Sequence, residues 1–475
     1  MDIEKNVDIE NIDIENMQTT DIDILLNALI ALNNFMKKNG ICGEISYRGE
    51  ISHLLRVAND QVTLNVSEYG SNFFVSLQKN KKFAKGSITT TPFNLDKLKD
   101  LIGTLNKSID FMPEVPFAKP MEPICQYDPC IYNYDQKIGN INSHIMRDLF
   151  EKSVKCFAPK GIRTSGSFSS GMYEYAKINT LVDNPLFYRG TDFNNEIILQ
   201  IAEGKKELRC DSCGAKMSHY KPDKLLEELD FIFKLKDSTE QIEVSPGKFD
   251  VIFGINAIAE LIKLLAWLSF DGETYEYGMG MLQKNKHKIG DKILGDNFTL
   301  FDNPNDPDIL YSHPFGINGT NRSSIKVFEN GILGYLYYSD KLSADRFGKK
   351  INNDISCANL KLEPGMGPGS FNEMLQSCDR PTIYIPYLHY MNSPNSAAGE
   401  FTATTRFGTF LIENGNVKNH FVNFRLNDTL FNVFSNIKWL GRRVGQVNLA
   451  DTYNERLAKS LTSPCYIKVG GVSIS

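Results

Sequence analysis

Polar residues dominate the opening of the chain, where the triplet Asp-Ile-Glu recurs at 2–4, 8–10 and 13–15 and no apolar face can form. Residues 1–20 therefore read as a flexible acidic tail. The pattern changes at Asp21. The run DIDILLNALIALNNFMKKNG sets apolar residues at helical spacing, with acids at its start, Lys37 and Lys38 in its last turn and Gly40 as a stop. Short alternating runs at 44–49, 62–67, 72–78 and 82–90 read as strands, and a helix over 95–105 closes a first α+β unit, 21–110. Pro113, Pro116, Pro120, Pro123 and Pro129 prevent regular structure in the next stretch, so 111–140 reads as a linker.

A second α+β unit, 141–238, is expected from a helix over 144–157, strands at 162–170, 172–181 and 196–202, and a helix over 221–235. The third unit, 239–475, opens with a Pro-Gly turn, the strand FDVIF and the apolar helix INAIAELIKLLAWLSF. Hairpins dominate the rest. Asn330-Gly331 and Asn414-Gly415 are strong hairpin signals because both turn residues tolerate positive φ, and Gly470-Gly471 predicts a third. Two helices interrupt the strands: one over 370–377 with Ser370 and Glu373 as a capping box, and one from Asp428 as cap to Gly441 as stop. The expected class is α+β: N-terminal α/β-sandwich-like units, then a strand-rich C-terminal domain with a buried helix.

Composition narrows the function classes. A chain of 475 residues is too long for one core. Its net charge of −5 provides no global positive field for nucleic acid or anionic lipid. No apolar run reaches the length of a membrane span, and the opening lacks the basic start and apolar core of a secretory signal. The cysteines number nine, an odd count scattered from Cys42 to Cys465, which suits free thiols and a cytoplasmic location.

Candidate chemistry is sparse. Cys210 and Cys213 form half of a zinc knuckle, and His219 could add a third ligand, but no second half exists. The stretch GMGPGS (365–370) lacks the spacing and the Lys of a phosphate loop, and SGSFSSG (165–171) lacks that of a nucleophile elbow and reads as a Ser-rich turn. The histidines are isolated, so none can form a local pair of zinc ligands. His313 and His389 are candidate pocket residues, as are Asn392 and Asn395 just beyond. Glu260 stands out in its apolar helix. Burial there demands a partner, and Lys263, three residues on, could supply it.

The ordered segments SPGKFDVIF, KIGDKILGDNFTLFDNP, IKVFENGILGYLY, NLKLEPG, YIPYLHYMNSPNSAAGEF and FLIENGNV resemble the TldD/PmbA family, historically called modulators of DNA gyrase. The segment SGSFSSGMYEYAKINTLVDNPLFYRGTDF extends the likeness back to about residue 140. TldD-like members of this family carry His-Glu-x-x-x-His on the helix after the Pro-Gly strand, plus a Cys from a loop near the C-terminus, and these hold a zinc ion for peptide hydrolysis. PmbA/TldE-like members lack the motif and form the partner subunit of a heteromeric protease. On this resemblance Glu260 is the only remnant of the motif. The ligand positions become Ala259 and Leu264, the loop 441–457 contains no Cys, and an acidic segment of the family is PFGING here (314–319).

The resemblance implies a non-catalytic PmbA/TldE-like subunit, with no cofactor of its own and zinc in a TldD-like partner, as a heterodimer or a self-dimer. Its substrates would be unfolded or short peptides, with no nucleic acid or membrane partner. An autonomous peptidase with an unconventional metal centre, or a peptide-binding module in modified-peptide biosynthesis, are the alternatives.

Overall fold

The computed structural model describes residues 22–90, 94–131, 133–140, 143–201, 206–352, 357–450 and 456–475, so the expected acidic tail, 1–20, lies outside the described residues. The chain first builds α1 (Ile22–Lys38), then β1 (Gly43–Ala58), β2 (Gln61–Lys79) and β3 (Lys82–Thr89), then α2 (Leu95–Ser108). The runs at 62–67 and 72–78 are one strand. Asn59 and Asp60, at φ 50° and 64°, turn β1 into β2, and Asn80 and Lys81, at 46° and 63°, turn β2 into β3. Both turns use two consecutive left-handed residues, the geometry whose twist matches antiparallel strands. Leu25, Leu29, Leu32 and Met36 of α1 join Leu98 and Ile102 of α2 over Ile45, Tyr47, Phe73 and Val75 of the strands.

A single turn α3 (Gln136–Gly139) and α4 (Ser143–Phe157) lead into β4 (Arg163–Asn179), β5 (Leu186–Ile201), β6 (Lys206–Gly214) and α5 (Pro222–Asp237). The two units expected as separate domains share one sheet, in the order β3-β2-β1-β4-β5-β6. β1 pairs with β4 from Glu44↔Asn179 to Val57↔Gly166, which removes an open edge from each unit. The Ser-rich stretch 165–171 lies inside β4 rather than in a turn. The Pro-rich stretch is irregular, as its prolines require, but it is not a loose linker. It is tied down by Val115 N–H to Lys81 O, Cys125 N–H to Gly319 O and Cys130 N–H to Phe187 O, each 2.9 Å, and it buries Ala118, Ile124 and Cys130.

The C-terminal domain contains, in order, β7 (Glu240–Ile242), β8 (Gly247–Gly254), α6 (Ile255–Ser269), β9 (Leu300–Asp302), β10 (Ile325–Glu329), β11 (Ile332–Leu333) and β12 (Asn359–Leu362). There follow β13 (Thr382–Ile385), β14 (Tyr387–Asn392), β15 (Glu400–Arg406), β16 (Phe410–Glu413), β17 (Asn416–Phe421) and β18 (Arg425–Thr429). The last are β19 (Ile437–Leu440), β20 (Val444–Asn448), β21 (Ser460–Pro464) and β22 (Tyr466–Ile474). One sheet runs β14-β15-β18-β22-β8-β13-β16-β17-β7 with β19 beside β22, and the other runs β11-β10-β9-β12-β21-β20. Helix α6 lies in the core between them, packed with Val251, Phe253 and Ile385 of the first sheet and Leu300, Leu360 and Leu461 of the second. The mixed α+β class is as the sequence implied.

Two local expectations give way to tertiary pairing. Gly470-Gly471 makes no hairpin: β22 continues along β8 through an irregularity between Val469 and Val472. The helix expected to reach Gly441 is capped by Thr429, not Asp428, and stops at Ser435, because Ile437–Leu440 is drawn into the sheet beside β22. Ser370 caps the helix Phe371–Gln376 as foreseen, accepting from the Glu373 N–H at 3.2 Å.

Candidate functional site

Alternation along the N-terminal strands sorts their side chains onto two faces. Leu55, Phe168, Phe193, Ile197 and Leu208 pack against α4 and α5. The opposite face carries Ser52, Ser165, Ser167, Ser169, Asn194, Glu196 and Arg209, partly exposed, and its central part meets the C-terminal domain. There Tyr173, Tyr175 and Tyr188 surround His313 at ring-centroid distances of 6.2, 6.3 and 4.8 Å.

Arg456 fixes the loop before β21 to this face. Its guanidinium donates to the Asp192 carboxylate at 2.6 and 3.0 Å and to Ser169 Oγ at 3.2 Å, while its backbone N–H donates to Glu50 at 2.8 Å. Gly171 permits the approach, since a Cβ there would lie 2.0 Å from Ile51 O and 3.0 Å from Arg456 Nε. Sequence reasoning missed Arg456 because nothing in its neighbourhood along the chain marks it. Residues 451–455 of the same loop lie outside the described residues.

A second wall comes from α6 and β14. Ala257, Ile258, Ala259, Leu261, Ile262, Leu264, Leu265 and Leu268 are buried, whereas Glu260, Lys263 and Trp267 form an exposed stripe, with Trp267 70% exposed. The expectation that Glu260 is buried and must be paired is therefore corrected. Among the described residues no ion pair joins it to Lys263; it projects from the core on the exposed side of the helix. Surrounding protein pushes its carboxyl above the usual range, with Lys263 and Arg209 pulling it back.

Arg209 is the hub of this region. It lies 3.0 Å from Glu196 and 2.7 Å from Asp211, stacks 5.1 Å over Tyr387, and its carbonyl accepts from the Tyr387 hydroxyl at 3.2 Å. Arg406 pairs with Glu207 at 2.7 and 3.0 Å, tying β15 to β6. His389, half-buried on β14 with its edge on Phe407 at 5.2 Å, has its pKa pushed down to about 4 by burial and by Arg209 and Arg406. Beyond it the register slips between His389 and Asn392, and Tyr390 projects 77% exposed at φ 50°. A left-handed aromatic residue at a bulge is strained, a cost that accompanies functional surfaces more often than plain strands.

Of the residues singled out from sequence, Glu260 and His389 both lie within the field of Arg209. The others do not converge on them. His313 is wholly buried; its Nε2 lies 2.8 Å from Ala458 O and its pKa is pushed down to about 3 by burial, so it lines no open pocket. Asn392 accepts from the Ser393 N–H at 2.9 Å and Asn395 caps a short turn through the Ala398 N–H, so both shape the loop beyond β14.

Cys210 and Cys213 are three apart in one strand, so they point to opposite faces and cannot grip one ion. Cys210 is buried against α5, and Cys213 lies 3.7 Å from Gln446 O. His219 Nδ1 is occupied with the Ala215 N–H at 3.2 Å. Among the described residues no group of three His, Cys, Asp or Glu could hold a metal ion. The residues present do not fit a resident zinc: Ala259 and Leu264 are 3% and 8% exposed and offer no lone pair.

Residues 246–475 match the PmbA/TldA metallopeptidase C-terminal domain family. This C-terminal domain belongs to the PmbA/TldD family. The PmbA/TldD likeness extends as a fold over nearly the whole chain. TldE from Thermococcus kodakarensis superposes with a TM-score of 0.76 at 17% identity, covering 94% of this chain and 100% of that one. A proposed modulator of DNA gyrase from Thermotoga maritima gives 0.74 at 18%, covering 94% and 99%. Another from Bacteroides thetaiotaomicron gives 0.76 at 16%, covering 96% and 100%. An uncharacterized protein of Methanocaldococcus jannaschii is 28% identical over 169 residues, which is 35% of this chain and 38% of that relative's length. The PmbA/TldD family is metallopeptidase-related, and no helix among the described residues is long and apolar enough to cross a membrane.

Proposed function

We propose that this chain is the non-catalytic, peptide-handling subunit of a cytoplasmic TldD/TldE-type metalloprotease assembly. A related TldD-like chain would carry the zinc, and this chain would help enclose an unfolded or short peptide. One observation supports the reading: at the zinc-motif positions α6 presents a methyl and an isobutyl group packed into the core, leaving Glu260 as the one motif residue with a polar side chain. The opposing face supports a peptide ligand, because rows of short polar side chains can meet an extended backbone whatever its sequence.

The test is an unstructured peptide incubated with the purified chain alone, with a TldD-like partner, and with both plus a chelator. Cleavage only in the presence of the partner, abolished by chelation, is expected. Chelator-sensitive cleavage by this chain alone refutes the reading. Peptide binding with no cleavage in either case favours a maturation module instead.

A further inference from the structure

The joint between the N-terminal sheet and the C-terminal domain encloses a cavity of about 190 Å³, and neither Arg209 nor Glu260 lines it. The sheet contributes a cross-strand row, in which Lys85 lies opposite Ser76 and Ser76 opposite Glu44. Lys177 lines the cavity beside them. Its side chain is only 4% exposed, with Nζ 3.0 Å from the Glu44 carboxylate. The other walls come from the Pro-rich segment at 121–124 and from the C-terminal domain at 318–320, 340–342 and 351.

The charges of the lining cancel, since Lys85, Lys177 and Lys341 are matched by Glu44, Glu122 and Asp340. Most of them are already engaged. Glu44 holds Lys177, Lys341 lies 3.0 Å from Asp345, and Asp340 accepts from the Ser343 N–H at 2.8 Å. Among the described residues the Lys85 ammonium and the Glu122 carboxylate have no hydrogen-bond or ion-pair partner. They stand at opposite ends of the row. The Glu122 carbonyl accepts from Asn179 Nδ2 at 2.8 Å, and Asn179 lies opposite Glu44, three strand spacings or roughly 14 Å from Lys85. Apolar side chains of Phe83, Met121 and Ile351 complete the lining.

We propose that this cavity binds a free apolar α-amino acid of about leucine's size. Two unspent charges of opposite sign, with apolar surface between them, are the complement of a small zwitterion. A balanced lining offers no excess positive charge to a phosphate or a polycarboxylate. Volume narrows the class further. A cavity of about 150 Å³ accommodates benzene, whereas sites for drug-sized ligands run to roughly 300–1,000 Å³, so a nucleotide is too large. The ligand's carboxylate is assigned to Lys85 and the Ser76 hydroxyl, its ammonium to Glu122 and its side chain to Phe83, Met121 and Ile351. Both domains supply walls, so occupancy ties them together. The inference stands independently of the proposed function, because it uses no residue of the surface around Arg209 and Glu260.

Calorimetric titration of the full chain with L-leucine tests this, beside isocaproate, which lacks the ammonium, and isopentylamine, which lacks the carboxylate. L-Leucine should bind and raise the unfolding temperature, because a ligand held only by the folded state stabilises it. Each analogue should bind about 10-fold or more weakly, since one charge-assisted contact is lost. Lys85 and Glu122 are both exposed, so Lys85→Met and Glu122→Gln should leave the unliganded chain folded and weaken L-leucine by a similar factor. No binding of L-leucine at about 10 mM, equal binding of isocaproate, or an affinity unmoved by both substitutions would each overturn the inference.

Discussion

His313 combines a titratable ring with complete burial. Its folded pKa is pushed down to about 3, against an ordinary value near 6.5 in an unfolded chain. Above pH 6.5 both states hold it neutral and it imposes no pH dependence. As the pH falls from there towards 3, the unfolded chain takes up a proton that the folded chain refuses, so stability declines by up to about 1.4 kcal/mol per pH unit. Replacing His313 with Gln, which never titrates, should remove that slope from the urea-unfolding free energy between pH 6 and 4, whatever it costs in stability. An unchanged slope would place the acid sensitivity elsewhere. The residue scale also limits what sequence can reveal. Isolation along the chain excluded a local histidine pair, but only the surrounding tyrosine rings make His313 inert while His389 stays at a surface.

At the scale of elements, the two Asn-Gly hairpins have nearly the same backbone but different neighbours. Asn330 and Gly331 sit at φ 48° and 75°, and Asn414 and Gly415 at 48° and 74°. An alanine at either glycine pays about 1–2 kcal/mol for a left-handed backbone. At Gly331 the new Cβ would lie 2.1 Å from the Leu294 carbonyl, backbone that is held against this turn by the Ile293 and Leu294 N–H groups donating to Gly331 O at 2.8 and 3.0 Å; at Gly415 it meets the flexible end of Gln376 at 2.8 Å. Gly331→Ala should therefore lose a further ~1–3 kcal/mol beyond Gly415→Ala in chemical denaturation. Equal losses would mean that the Leu294 contact relaxes freely. Both hairpins were legible in the sequence because their turn chemistry is local. The stretch Ile437–Leu440 was misread as helix because its pairing partner β22 lies far along the chain, and a sheet neighbour overrides helical spacing.

At the scale of the whole molecule, the Arg456–Asp192 pair holds the C-terminal domain's loop on the N-terminal sheet, with side chains only 10% and 6% exposed. Arg456→Ala strands a buried carboxylate and should cost about 3–5 kcal/mol, much of it recovered by adding Asp192→Asn. A denaturation double-mutant cycle measures this, and strictly additive losses would show that the two groups do not act as a pair. By itself the sequence determined the α+β class, most helices, the Asn-Gly turns and the absence of imidazoles at Ala259 and Leu264, because each depends on residues close together in the chain. Only the tertiary structure decided that the two N-terminal units share a sheet, that Cys210 and Cys213 point apart, and that Glu260 faces out of the core. Those outcomes depend on which edges meet and which face is covered, and such long-range pairing energies leave no mark in local spacing.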